Sequence, residues 1–345
     1  MRKIGGTFPL EPTLSTDNGF FDKICPPGGD VCFMMSGRCG MYRCLEDILL
    51  TDTKKVAYVP MYTCETVLAP FEKAGYTLKF YEVDKDLRCI FDPSVIDEIS
   101  LLSLCGYYGF CNYDRDFVRA CKERGVVIIE DCTHSLLTEG GVDPLCDYAA
   151  GSFRKWLGVT CGGWGVKVNG KFGVPYQPTH ERHLNLRKQL IVDEKGDMFW
   201  EGEMLLRQIF DSFVGDEQSE YVMRHADLQE IADKRRANFT SLLNALPKET
   251  KGFRPVFPEL KDGVVPTHFC IYADQRDELQ QYLADRGIHS TVYWPKAPAV
   301  DLEGHDTVRY VYDHIMSLSL DQRYGAEDMQ YIADALIEYS NAFQG

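Results

Sequence analysis

The feature that most constrains the fold of this chain is an alternation. Between residues 31 and 168, short apolar runs take turns with helical patterns. Residues 56–59 (VAYV), 78–83 (LKFYEV), 101–104 (LLSL) and 126–129 (VVII) are β-branched or aromatic, short, and bounded by Pro, Gly or charges. Those are the marks of strands. Residues 65–74 and 114–124, lying between them, read as helices. Strands that are apolar almost throughout are buried on both faces. The alternation therefore predicts an α/β fold with a mainly parallel sheet covered by helices.

The pattern changes after residue 179. The stretch to residue 246 is charged, poor in Gly and Pro, and helically spaced at Met204, Leu205, Gln208 and Ile209, then at Leu228, Ile231 and Ala232. Two or more helices are predicted there. Pro247, Gly252, Pro255 and Pro258 then mark a boundary. The expected division is a large unit over 1–246 and a smaller α+β unit over 247–345. The smaller unit would hold strands at 269–272 and 289–293 and helices at 276–286 and 326–343. Glu327 and Asp328 suit the first turn of the last helix.

Charge and cysteine content narrow the function. The net charge of -15, from 52 acidic and 37 basic residues, repels nucleic acid. The densest basic run, Lys234-Arg235-Arg236, reads as one turn of a charged helix. The basic start, Met1-Arg2-Lys3, has no apolar stretch behind it, and no segment reaches the roughly 20 apolar residues of a membrane span. The expectation is a cytoplasmic protein that binds neither membrane nor nucleic acid. The thirteen cysteines form no C-x-x-C pair. Cys25, Cys32, Cys39 and Cys44 do not follow zinc spacing, so reduced cysteines acting as small hydrophobes are expected.

Four constellations carry chemistry. Ser36-Gly37-Arg38-Cys39-Gly40 follows a strand-like run and opens a helix, so the backbone N–H groups of Gly37, Arg38 and Cys39 form a candidate anion site. The same residues could simply cap the helix. Residues 127–134 (VIIEDCTH) deliver Asp131 at the carboxyl end of a strand, where open α/β sheets bind ligands. Asp131 could hold a heterocyclic N–H⁺, bind a metal with His134, or cap the next helix. Residues 151–157 (GSFRKWL) place Lys155 beside large apolar side chains, which would desolvate its amine and suit it to Schiff-base chemistry, with Ser152 near for a phosphate. Pro60-Met61-Tyr62-Thr63-Cys64-Glu65 is a strand-to-helix turn that could set a side chain over a flat ring, or only start a helix capped by Thr63.

In this order the motifs resemble the fold-type I pyridoxal-phosphate enzymes, and among them the DegT/DnrJ/EryC1/StrS aminotransferases. Residues 59–84 (VPMYTCETVLAPFEKAGYTLKFYEVD) are similar to that family's P-x-Y-T-F … G … V-D segment. Residues 104–109 (LCGYYG) stand at its L-x-G turn, 128–136 (IIEDCTHSL) at its E-D-A-A-Q-A motif, and 152–157 (SFRKWL) at its S-F-x-x-x-K segment. The resemblance covers about residues 31–165, with a fainter echo to the C-terminus.

The resemblance implies roles. Lys155 would form the Schiff base with pyridoxal 5'-phosphate and carry the proton. Asp131 would keep the pyridine nitrogen protonated, and His134, where the family has Gln, would reach the phenolic oxygen. Ser152 and the Gly37–Arg38–Cys39 backbone would hold the phosphate. Cys64 replaces the usual ring-stacking aromatic, leaving that part to Tyr62 or to no residue. Arg323 would bind the amino donor's carboxylate, with pairing to Asp321 as the alternative, and Tyr107 would face substrate. Ser152 lies three residues before Lys155, as in aspartate aminotransferase, and Tyr293-Trp294-Pro295 replaces the family's Y-P-x-P-x-H stretch.

The activity implied is transfer of an amino group from an amino acid, glutamate first, to a keto acceptor such as a nucleotide-linked keto sugar. A homodimer with composite active sites is implied too. A lyase or decarboxylase would share the same lysine and aspartate. Two other readings stand apart: a non-catalytic regulator that keeps the fold, and a zinc site of Asp131, His134 and nearby cysteines.

Overall fold

The apolar runs become the centre of one sheet. The computed structural model describes residues 2–343. Its first stretch holds α1 (Phe20–Ile24), β1 (Asp30–Met34), α2 (Gly37–Ile48), β2 (Val56–Pro60), α3 (Glu65–Lys73), β3 (Thr77–Val83), β4 (Cys89–Ile90), β5 (Leu101–Cys105), α4 (Arg115–Glu123), β6 (Val127–Asp131), β7 (Tyr148–Ser152) and β8 (Gly163–Lys167). These strands form an eight-stranded sheet in the order β1-β8-β7-β6-β5-β2-β3-β4. The run β7-β6-β5-β2-β3 is parallel, while β8 is antiparallel to both neighbours and β4 is antiparallel to β3. Leu101, Leu102, Ile128 and Ile129 are fully buried in it, each contributing about 1.5–3 kcal/mol of apolar burial.

The register fixes where loops emerge. Cys105 pairs with Asp131, Asp131 with Ala150, and both Ser152 and Met34 face Gly163. The carboxyl ends of β1, β7, β6, β5 and β2 therefore open onto one edge. All four chemistry-bearing segments follow those ends.

Strands β7 (YAAGS) and β8 (GWGVK) are rich in Gly and Ala, and Val166 is their one β-branched residue. Their small residues are required because α2 lies directly on them. A Cβ on Gly40 of α2 would stand 2.2 Å from the Trp164 carbonyl oxygen. α3 starts one residue later than a Thr63 cap implies, with Cys64 at its cap position.

Four helices, α5 (Glu181–Ile191), α6 (Met198–Ile209), α7 (Glu217–His225) and α8 (Leu228–Ala245), occupy the charged stretch. Beyond them come β9 (Phe253–Pro255), β10 (His268–Ala273), α9 (Arg276–Ala284), β11 (Ser290–Thr291), α10 (Asp306–His314), β12 (Ile315–Ser319) and α11 (Ala326–Ala342). The second sheet, β11-β12-β10-β9, is antiparallel. Its β11 is shorter than the expected 289–293, because Tyr293 leaves the sheet and bonds His268 instead.

α8 precedes the expected boundary but serves both sheets. Phe239 packs on Phe269, and Asn238 donates to the carbonyls of Leu320, Asp321 and Tyr324. From the same helix, buried Arg235 donates to the carbonyls of Thr267 (2.8 Å) and Trp156 (2.9 Å) and to the side-chain oxygen of Gln322. An N-terminal arm crosses the assembly: Ile4 bridges Ile288, the Glu11 N–H meets the Gly158 carbonyl, and the Leu14 N–H meets that of His225. All thirteen cysteines are free, and no helix among the described residues is long and apolar enough to cross a membrane.

Candidate active site

The anion-binding end of α2 is built by close approach. Ser36 caps the helix and accepts from the Cys39 N–H (3.2 Å). That bond uses Cys39, so of the three backbone donors expected from sequence, Gly37 and Arg38 are left. A Cβ on Gly37 would stand 3.0 Å from the Ser152 Cβ, and one on Gly163 would meet the Ser36 carbonyl at 2.0 Å. The start of α2, the end of β7 and the start of β8 thus converge on a cradle that glycine keeps open. Ser152 caps the turn Phe153–Lys155, with its hydroxyl oxygen toward the Arg154 N–H.

Next along the edge stands Asp131. One carboxylate oxygen accepts from the Thr133 N–H at 2.9 Å. Burial pushes its carboxyl above the ordinary range, with Thr133 opposing, so a cationic partner at this spot would relieve it. The Trp156 indole N–H donates to the Thr133 carbonyl at 2.8 Å and ties the lysine turn to the aspartate turn. His134 is buried, and its Nδ1 has no partner. Desolvation, with Lys155 adding to it, holds its ring well below the usual imidazole range and therefore neutral.

Lys155 is half-buried beside this pair. Desolvation lowers its amine below the ordinary lysine range, while Glu203 opposes. Its Nζ lies 4.6 Å from the ring centroid of Tyr293. That ring comes from the segment after β11, and it meets His268 of β10, whose Nε2 sits 2.9 Å from the Tyr293 hydroxyl. The His134 ring lies 5.4 Å from Tyr293 and 4.8 Å from Trp294. Tyr293, found in sequence only as part of an altered motif, roofs the lysine, and Trp294 beside it packs on His134.

Tyr62 is buried in the aromatic cluster that supports this roof. It stacks on Tyr107 (5.4 Å, 27°) and meets Trp294 and Tyr312 edge-on. The Tyr107 hydroxyl donates to the Tyr62 carbonyl at 2.7 Å, which commits the polar tip of the residue expected to face substrate. Cys64 joins its thiol to the Thr66 hydroxyl at 2.8 Å. The Arg323 guanidinium is committed elsewhere: it pairs with Asp321 at 2.7 and 3.0 Å, donates to the carbonyls of Thr7 and Gly6, and covers the Phe8 ring. The structure thus realises the Asp321 pairing and leaves no open fork for a substrate carboxylate.

A charged group behind the lysine was invisible in sequence. Arg154 pairs with Glu203 of α6, whose carboxyl is held down to about 2 by Arg154 and Arg187 against the penalty of burial. Arg187 and His183 come from α5, on which burial leaves little exposed surface at either. Charged residues on an amphipathic helix look solvated until the helix is docked.

These residues fit pyridoxal phosphate. The glycine-lined cradle suits a phosphate, the enclosed Asp131 suits a ring N–H⁺, the unpartnered His134 Nδ1 suits a ring oxygen, and the desolvated Lys155 amine suits an aldehyde carbon. The metal alternative has no such support: among the described residues no three His, Cys, Asp or Glu side chains are placed to hold an ion.

No family model matches the chain, and no curated protein matches it in sequence. Solved structures do match. DesV of S. venezuelae, captured with a ketimine intermediate, is 20% identical with a TM-score of 0.70, over 99% of this chain and 92% of that one. PseC of Helicobacter pylori, an aminotransferase of pseudoaminic acid biosynthesis, is 13% identical with a TM-score of 0.70, over 99% and 100%. A DegT DnrJ EryC1 StrS aminotransferase from Brucella abortus is 15% identical with a TM-score of 0.64, over 94% and 89%. The chain has the fold of these enzymes along nearly its whole length.

Proposed function

We propose that this chain is a pyridoxal 5'-phosphate-dependent aminotransferase. It moves an amino group from an amino acid, glutamate first, to a keto acceptor of the nucleotide-linked sugar class. The observation that carries this reading is the desolvated amine of Lys155, standing at the carboxyl edge of the sheet with Asp131, His134 and the Gly37–Ser152 cradle. The sugar acceptor is supported by a further structural neighbour, the sugar aminotransferase CalS13 from Micromonospora echinospora, 15% identical with a TM-score of 0.65 over 96% of this chain and 93% of that one.

Each residue has a task. Lys155 would hold the cofactor through Nζ and carry the proton between the donor's α-carbon and the cofactor's C4′. A depressed amine value serves both tasks, because burial favours the neutral, nucleophilic form. Asp131 holds a proton on the ring nitrogen, and His134 orients the ring oxygen. The N–H groups of Gly37 and Arg38 and the Ser152 hydroxyl hold the phosphate. The cofactor, when bound, supplies the electron sink. Tyr293 covers the Lys155 amine on one side and limits its contact with water. A second copy of the chain is expected to complete the site.

The test is the visible spectrum of the protein with pyridoxal phosphate, before and after borohydride, followed by peptide mapping. A chromophore fixed on the peptide containing Lys155 is expected. No chromophore, or fixation on another lysine, would overturn the reading. Recovery of a labelled donor's nitrogen in a keto sugar then separates transfer from lyase or decarboxylase chemistry.

A further inference from the structure

The stretch Asp321-Gln322-Arg323-Tyr324 grips the N-terminal arm. The Tyr324 hydroxyl accepts from the Gly5 N–H at 2.6 Å. Arg323 donates to the carbonyls of Gly6 (3.3 Å) and Thr7 (2.8 Å) and lies over the Phe8 ring. Held this way, the arm runs onto the chain just beyond Lys155. The Glu11 N–H donates to the Gly158 carbonyl at 2.9 Å. A Cβ on Gly158 would stand 1.6 Å from the Pro9 carbonyl oxygen, so only glycine lets the arm lie so close.

Gln322, inside the gripping stretch, reaches both the arm and the lysine turn. Its Nε2 donates to the Trp156 carbonyl at 2.9 Å and to the Glu11 carboxylate at 3.3 Å, while its Oε1 accepts from the Arg235 guanidinium at 3.2 Å. The Trp156 carbonyl can only accept and a guanidinium can only donate, so the amide has one orientation. Burial pushes the Glu11 carboxyl above its ordinary range, and the bonds from Gln322 and to Gly158 oppose that rise. Trp156 directly follows the turn Phe153–Lys155. The arm, Gln322 and the lysine turn therefore form one continuous chain of hydrogen bonds.

We propose that Gln322 is a positioning residue for Lys155, coupling the docked arm through Glu11 to the turn that carries the amine. The task given to Lys155 rests on the aminotransferase reading; the clasp does not. Lys155 stands among Glu203, Arg154, Arg187 and Cys64, with the Tyr293 ring over Nζ and His134 beside it. None of these belongs to the clasp. Loosening the clasp takes a donor from the Trp156 carbonyl, which must then turn to water. Water admitted at the turn lessens the desolvation that holds the amine low. The amine then returns toward the ordinary lysine range.

The test is competitive labelling of the cofactor-free, whole chain with acetic anhydride across pH, with the Lys155 peptide read by mass spectrometry. The reagent takes only the neutral amine, so the midpoint reports the amine itself and, unlike the rate, does not depend on access. Wild type should show a midpoint below the ordinary lysine value. Gln322→Ala and Glu11→Ala should each raise it by about one pH unit, an about tenfold change in proton affinity and the scale of one hydrogen bond. Both together should raise it no further than either alone, because they act in one chain. Glu11→Gln keeps an acceptor for Gln322 and should keep the wild-type midpoint. Should Gln322→Ala fold poorly, Glu11→Ala, in the arm, carries the same test. Midpoints unmoved in the alanine variants, with only melting temperature lowered, would make the clasp merely structural and overturn the proposal. A shift in Glu11→Gln as large as in Glu11→Ala would overturn the hydrogen-bonded link. If borohydride fixes nothing on Lys155, the aminotransferase reading fails alone, because the labelling needs no cofactor.

Discussion

Lys155 is held where its charged form is disfavoured, and the residues around it respond to pH in ways that can be measured. Lys155→Ala is expected to abolish the borohydride-fixed adduct and to lower turnover by about 10²–10⁴-fold or more, read in steady-state assays with an amino donor. His183 gives a stability signature. Its ring titrates near 6.5 when unfolded but only at about 3 in the folded chain, because burial and the neighbouring arginines exclude the proton. The unfolded chain therefore takes up a proton first, and stability is lost as pH falls from 6.5 toward 3. Glu203, lowered from 4.5 to about 2, adds a further loss only below 4.5. Between pH 6.5 and 5 the His183 share is about 2 kcal/mol. His183→Leu should flatten denaturation midpoints over that interval and leave the loss below 4.5 in place. Legibility in the sequence divides the same way. Asp131, Ser152 and Lys155 could be singled out because each is fixed to a strand end by its neighbours in the chain. His268, His183, Arg187 and Glu203 could not, since distant elements bring them to the lysine.

α2 and the two strands beneath it depend on a close approach. The Cβ that Gly40→Ala adds would fall 2.2 Å from the Trp164 carbonyl oxygen, a backbone atom that cannot turn aside. The helix would have to lift from β8 and carry Gly37 away from Ser152. A loss of about 3 kcal/mol is expected in urea denaturation. Cofactor affinity should weaken as well, whereas a helix that only filled space would leave it unchanged. This is also why the sheet was only partly legible. β2, β3, β5 and β6 announce themselves through bulky residues that face helices on both sides. β7 and β8 must be small to let α2 approach, so they lack a strand signature. β12 (IMSLS) was missed as well, being short and without strict alternation, whereas β11 falls inside the strand expected at 289–293 and keeps two of its residues.

At the scale of the molecule, α8 links the sheets through a buried cation. Arg235→Met would take from the Thr267 carbonyl its Arg235 donor and from the Trp156 carbonyl one of two, Gln322 remaining, at a cost of about 2–4 kcal/mol. A matching fall in thermal stability is expected, together with faster amide exchange at Trp156, whose turn holds Lys155. The alternation of the first half made the α/β class readable, but not the coupling of the sheets, which runs through contacts such as Arg235 to Gln322 that leave no local pattern. The arm raises a different matter, one of time. Arg2 pairs with Asp328, Ile4 bridges Ile288, and the Thr7 carbonyl is held by Arg323. A ribosome makes residues 2–7 nearly three hundred positions before the partners that receive them. Throughout synthesis the arm must wait without its partners, and it can settle only when the last helix has emerged; the structure is closed by a segment made long before the residues that hold it.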